Sequence, residues 1–236
     1  MGPVPPPFAP FGPDHLAALA LTTAAAIVLT TLARRVPRAR LPVRLGLGGA
    51  LAGATAWTLG RWWRAGTLTV WDLLPFHLCD LLIFVAVFAL LRLSRPAIEL
   101  LYFWAGAGTL LALVSPDVAR GFPDPDFVSF FVLHGLVVVA ASVLVVGLRR
   151  PPRSGAHWRV FLATNAYAAA IGLFNLAFGT NYLFLCRPPS APTVLDWFGP
   201  WPWYLLAADA MALVLFRLLA LPWRPGDSLA PSRTDR

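Results

Sequence analysis

Residues 73–91 read LLPFHLCDLLIFVAVFALL, an apolar run broken only by Pro75 and by His77, Cys79 and Asp80 near its start. Wound as an α-helix, such a stretch spans about 30 Å, the thickness of a bilayer's hydrocarbon core. Lipid offers no hydrogen bonds to the backbone, so a lone apolar run must pair its own N–H and C=O groups, which a helix does. Similar runs recur at 15–33, 45–62, 97–114, 127–148, 159–178 and 203–222. The chain is therefore expected to be all-α, a polytopic transmembrane bundle of about seven helices. Two runs stand apart: 45–62 is diluted by Gly and Ala, and 97–114 is short and preceded closely by Arg95 and Arg92, with which Glu99 reads as an edge charge pair.

Composition supports a lipid-solvated chain. Hydrophobic residues make up 58% of the 236 and charged residues 13%, more apolar side chain than a water-soluble domain of this size hides. The net charge is +8, and every cation is an arginine. In a soluble protein that charge would suggest nucleic-acid binding, but here the arginines form short clusters between apolar runs with no recognition motif beside them. They read instead as topology determinants and partners for anionic headgroups. The expected partners are membrane lipids, with no nucleic acid, and oligomeric state is not legible. The Arg-only, Ala-, Leu-, Pro- and Gly-rich composition hints at a GC-rich bacterial genome, hence a multi-pass protein of the bacterial cytoplasmic (inner) membrane.

Loops rich in positive charge stay cytoplasmic. One alternate set of loops holds Arg34, Arg35, Arg38, Arg40 and Arg44, then Arg92 and Arg95, then Arg149, Arg150, Arg153 and Arg159, then Arg217, Arg224, Arg233 and Arg236. The other set holds only Arg61, Arg64, Arg120 and Arg187, beside Asp117, Asp124, Asp126 and Asp196. The N-terminus is thus expected outside and the C-terminus in the cytoplasm. The divisions are an extracytoplasmic segment at 1–14, the transmembrane domain at 15–222 and a disordered cytoplasmic tail at 223–236.

Ionisable groups inside hydrocarbon are costly, so each marks a possible site. The densest cluster is LPFHLCDL at 74–81, with Pro75 suited to the first turn of a helix. On that helix His77 and Asp80 share a face, while Cys79 points about 160° from His77, so a base for Cys79 must come from elsewhere. His134, about two turns into the fifth helix, lies at a matching depth. Asn175, Asn181, Tyr182 and Asp209 fall in the same outer half, with Trp203 and Tyr204 of the WPWY stretch beside them. Plain readings compete: Cys79 as a packing residue, His134 as a helix-to-helix hydrogen bond, Asp80 as a partner of the helix dipole, and the tryptophans as an interfacial belt. Asp209, inside an apolar run, needs a proton or a partner, for which His77 and His134 are the candidates. The stripe Thr164, Ala168, Gly172, Asn175, Gly179 and the patch Ala105–Gly108 read as close helix packing. Cys79 and Cys186 form no C-x-x-C pair, so neither a metal nor a cofactor is indicated, and a disulfide between them stays open.

The segments LPFHLCDLLIF at 74–84, FFVLHG at 130–135 and GTNYLFLCRPPSAPTVLDWFGPWPWYLL at 179–206 resemble the YwaF-type bacterial integral membrane proteins, a family whose biochemistry is unsettled. More distantly, the chain is similar to a vertebrate family described as ether-phospholipid acyltransferases, in which a membrane-embedded Cys is proposed as the nucleophile. That resemblance implies Cys79 as the nucleophile and His134 as its base, and an acyl-transfer enzyme would use Asp80 or Asn175 to orient the His. The leading expectation is therefore lipid acyl transfer or hydrolysis in an outward-facing pocket. The alternatives are proton-coupled transport through His77, Asp80, His134 and Asp209, or an accessory membrane subunit.

Overall fold

The computed structural model describes residues 5–188 and 197–223. Asp196, Arg224, Arg233, Arg236 and all of the expected tail but Trp223 lie outside the described residues. The chain divides into two compact units, residues 1–75 with 79–150, and residues 76–78 with 151–236. The described residues are helical, with one isolated bridge between Pro7 and Arg120.

The first unit contains α1 (Pro13–Arg35), α2 (Arg40–Arg64), most of α3 (Leu78–Arg92), α4 (Arg95–Trp104), α5 (Leu110–Val114) and α6 (Pro125–Ser142). A π turn, Ala105–Thr109, joins α4 to α5 as one continuous span, and a second, Val143–Gly147, extends α6. The second unit contains α7 (Ala156–Phe178) and α8 (Trp203–Ala220), with a short 3-10 turn at Tyr182–Phe184 between them. The seven expected runs thus appear as seven helical rods, and six are long and apolar enough to cross a membrane. The exception is α2, whose Gly- and Ala-rich run is flanked by Arg40, Arg44, Arg61 and Arg64.

Helix ends follow local chemistry. Pro13 and Asp14 open α1 and Arg34 and Arg35 close it, each charge matching the helix dipole. Asp124 caps α6, its side chain accepting from the Asp126 N–H at 2.8 Å, with Pro125 in the first turn. Arg44 reaches from α2 to the end of α3, its Nε donating to the Leu90 carbonyl at 2.7 Å and Nη2 to that of Leu91 at 2.9 Å. These satisfy carbonyls that the helix itself leaves unpaired.

Within the first unit, α6 packs against α1, α2 and α4. Its join to α2 runs through a Thr58–Ser129 hydrogen bond and an Arg61–Asp126 ion pair, with Arg61 also over the Trp57 ring. Its join to α1 relies on two glycines. A Cβ added at Gly135 would lie 2.7 Å from Thr22 Oγ1, and one at Gly147 3.1 Å from the Thr30 carbonyl oxygen. Small residues let helix backbones approach closely in lipid, where dispersion and packing hold helices together. Gly135→Leu is expected to force α1 off α6 and cost about 1–3 kcal/mol, read as a lower unfolding temperature in detergent. Glu99, expected as an edge charge, is instead 3% exposed, because it sits one turn inside α4 beside the buried Ile98 and Leu101.

Candidate functional site

The entry to α3 departs from the expected register. Asp72 accepts from the backbone N–H and the hydroxyl of Thr69, both at 2.7 Å, and holds a 3-10 turn at Trp71–Leu73. Leu74 is extended (φ −86°, ψ 114°), as a residue before proline prefers. The α-helix starts only at Leu78, so Pro75 does not open it and His77 precedes it. His77 and Asp80 therefore do not share a helix face. The His77 ring packs on Tyr182 and Phe184, at 5.2 and 5.5 Å between centroids, within the second unit.

The later start places Cys79 and Asp80 in the first turn of α3. Cys79, Asp80 and Ile83 of α3 line a cavity of about 40 Å³ with Thr109, Leu133, His134 and Val137, all within the first unit. That volume suits a water molecule or one carbonyl group.

His134 has a defined tautomer. Its Nδ1 lies 2.8 Å from the Phe130 carbonyl, which can only accept, so Nδ1 carries the proton. In the neutral ring Nε2 then keeps its lone pair and can take a proton. The ring also stacks on Phe130 at 4.0 Å between centroids. The His134 ring is thus held by a backbone carbonyl one turn earlier on α6, and not by Asp80 or Asn175 as expected.

The other expected residues serve the second unit. Asn175 is 1% exposed. Its Nδ2 donates to the Tyr182 carbonyl at 2.9 Å, and its Oδ1 accepts from the Thr180 hydroxyl at 2.7 Å and the Tyr182 N–H at 2.9 Å. Asn181 clasps the following turn, accepting from the N–H groups of Cys186 and Arg187 and donating to the Arg187 carbonyl. The Tyr204 hydroxyl donates to the Phe184 carbonyl and Trp201 Nε1 to that of Leu185. Trp203 is exposed where α8 begins. These bonds hold a turn in which Leu183 and Phe184 both take positive φ, at 58° and 54°. Asn175→Ala strips three hydrogen bonds from buried groups and is expected to destabilise this unit by about 2–4 kcal/mol, measured by thermal unfolding.

Asp209 finds its partner elsewhere than expected. Asn165 Nδ2 donates to its Oδ1 at 3.0 Å, in place of His77 or His134. The Tyr167 hydroxyl reaches the Phe76 carbonyl at 3.0 Å.

His15 is 1% exposed. Its Nδ1 accepts from the Phe11 N–H at 2.9 Å and its Nε2 donates to the Leu113 carbonyl at 2.8 Å, tying the N-terminal segment to α5. Both cysteines are free thiols. Among the described residues no cluster of three or more His, Cys, Asp or Glu could hold a metal ion. A larger groove of about 320 Å³ lies between α1 and α6, lined by Leu21, Phe131, Gly135 and Val139 among others. Its lining is apolar apart from Thr22 and includes no Cys, His, Asp or Glu.

The model of the TMEM164 family matches residues 10–220. No curated protein and no solved structure matches the chain.

Proposed function

The chain belongs to the TMEM164 family, a family of multi-pass membrane proteins, and on that premise we propose that it is a lipid acyltransferase with Cys79 as nucleophile and His134 as base. The observation that supports this reading is one small cavity lined by both: a thiol in the first turn of a helix and an imidazole whose tautomer leaves Nε2 basic. Nucleophile and base on separate helices, with the base held by a third group, follow the general logic of covalent catalysis. With the arginine-rich loops in the cytoplasm, the site belongs to the outer half of a bacterial cytoplasmic membrane.

The reaction runs in two halves. Cys79 Sγ attacks the ester carbonyl carbon of a lipid while its proton passes to His134 Nε2. In a cavity walled by Ile83, Leu133 and Val137 a free thiolate is poorly solvated, so proton loss accompanies carbon–sulfur bond formation. The tetrahedral adduct collapses, the carbon–oxygen ester bond breaks, and His134 returns the proton to the departing alkoxide. The released lipid is a lyso-lipid, and the acyl group stays on Cys79 as a thioester. In the second half the hydroxyl of another lipid, or water, attacks the thioester as His134 accepts its proton. The carbon–sulfur bond then breaks and the thiol recovers that proton. Asp80, on the cavity wall, orients the incoming hydroxyl as an acceptor.

Lipid mass spectrometry tests the reading in cells lacking the protein, expressing it, or expressing equal amounts of Cys79→Ala or His134→Ala. The expected result is a shift in acyl composition that appears only with the unaltered protein. Equal lipid profiles in all four strains would contradict it.

A further inference from the structure

An ester under attack by sulfur places a negative charge on its former carbonyl oxygen, and a donor aimed at that oxygen commonly supplies the largest part of catalysis. The sequence contains no recognisable motif for such a donor. Besides Cys79 and His134, the polar side chains on the cavity are Asp80 and Thr109. An ionised carboxylate only accepts hydrogen bonds, which leaves Thr109 as the side-chain donor.

Thr109 is 2% exposed, and its setting differs from that of four other helical threonines. Thr23, Thr55, Thr58 and Thr164 turn their hydroxyls back to the carbonyls of Leu19, Leu51, Ala54 and Val160, each four residues earlier. The Thr109 hydroxyl makes no such bond among the described residues. The carbonyl four residues before it, that of Ala105, accepts instead from the Leu110 N–H, the bond that closes the π turn. A π turn adds one residue to the helical circuit, and π turns recur at functional sites. Small residues, Gly106, Ala107 and Gly108, make up its middle. The turn thus leaves a buried hydroxyl uncommitted on the wall that the Cys79 thiol shares.

We propose that Thr109 is a catalytic residue of this site, donating its hydroxyl hydrogen bond to the oxyanion formed when Cys79 attacks a lipid ester. The assignment rests on the acyl-transfer reading above. It deepens that reading by naming the substrate group: an acyl ester carbonyl inserted between α3, the π turn and α6.

The test uses full-length protein in phosphatidylethanolamine vesicles carrying a fluorescent acyl chain. Wild type, Thr109→Val, Thr109→Ser and Cys79→Ala are compared for acyl transfer. In parallel, modification of Cys79 by methyl methanethiosulfonate is followed by peptide mass spectrometry. That reagent reacts at sulfur and forms no oxyanion, so it reports thiol access and reactivity alone. Thr109→Val is expected to lose acyl transfer on the order of 10²–10³-fold. Its Cys79 should still react with the reagent at the wild-type rate, and Thr109→Ser should keep most of the transfer. Wild-type transfer by Thr109→Val would overturn the assignment, as would a parallel loss of thiol modification, which would mean that Thr109 only shapes the cavity. If wild type transfers no acyl group, or Cys79→Ala transfers as fast as wild type, the acyl-transfer reading falls first and the Thr109 assignment with it.

Discussion

Cys79→Ser is expected to lower acyl transfer on the order of 10⁴-fold while leaving the protein folded. Serine has nearly the shape of cysteine, and Cys79 lies at the edge of a small cavity in the first turn of α3, so packing changes little. What changes is the attacking atom. A serine hydroxyl holds its proton far more tightly than a thiol and is the poorer nucleophile. Initial rates in labelled vesicles, normalised to folded protein by gel filtration, measure the effect. The comparison with Asp209→Asn separates acyl transfer from proton-coupled transport. Asp209 hydrogen-bonds Asn165 in the second unit, so its loss should weaken stability and leave the transfer rate of folded protein near wild type. A transporter would show the opposite order.

His134→Ala is the second large effect, expected to cost 10²–10⁴-fold in transfer, the usual worth of a positioned general base. Nδ1 is committed to the Phe130 carbonyl, so Nε2 is the nitrogen left with a lone pair to take a proton. Removing the ring also leaves a space against Phe130, on which it stacks. Added imidazole can occupy that space and should restore part of the lost rate. A purely structural His134 would respond otherwise: the variant would unfold at lower temperature, and imidazole would restore nothing.

Much of the fold is legible in apolar run length alone, because lipid demands that each run pair its own backbone. The exceptions are local. Pro75 suits a helix start, but the Thr69–Asp72 turn and the extended Leu74 postpone α3 to Leu78 and send His77 to the aromatic rings of the second unit. The π turns left no trace in hydropathy, since an i→i+5 bond changes winding without changing residue type. Ala105–Gly108 therefore read as a packing patch, and nothing in the sequence sets Thr109 apart. Cys79 and His134 were paired by depth along their helices, and both line one cavity. Asn175 and Asn181 looked like pocket residues because polar groups in apolar helices stand out. Their side chains satisfy nearby backbone instead, a use that spacing does not distinguish from binding.

The most direct test of Cys79 as the acyl carrier is intact and peptide mass spectrometry of the purified protein after incubation with phosphatidylethanolamine vesicles. The account predicts one added acyl mass on the peptide containing Cys79, released by hydroxylamine as a thioester should be and missing in Cys79→Ser. An acyl group found on Cys186 alone, or acyl transfer proceeding while Cys79 stays unmodified under rapid quench, would contradict it.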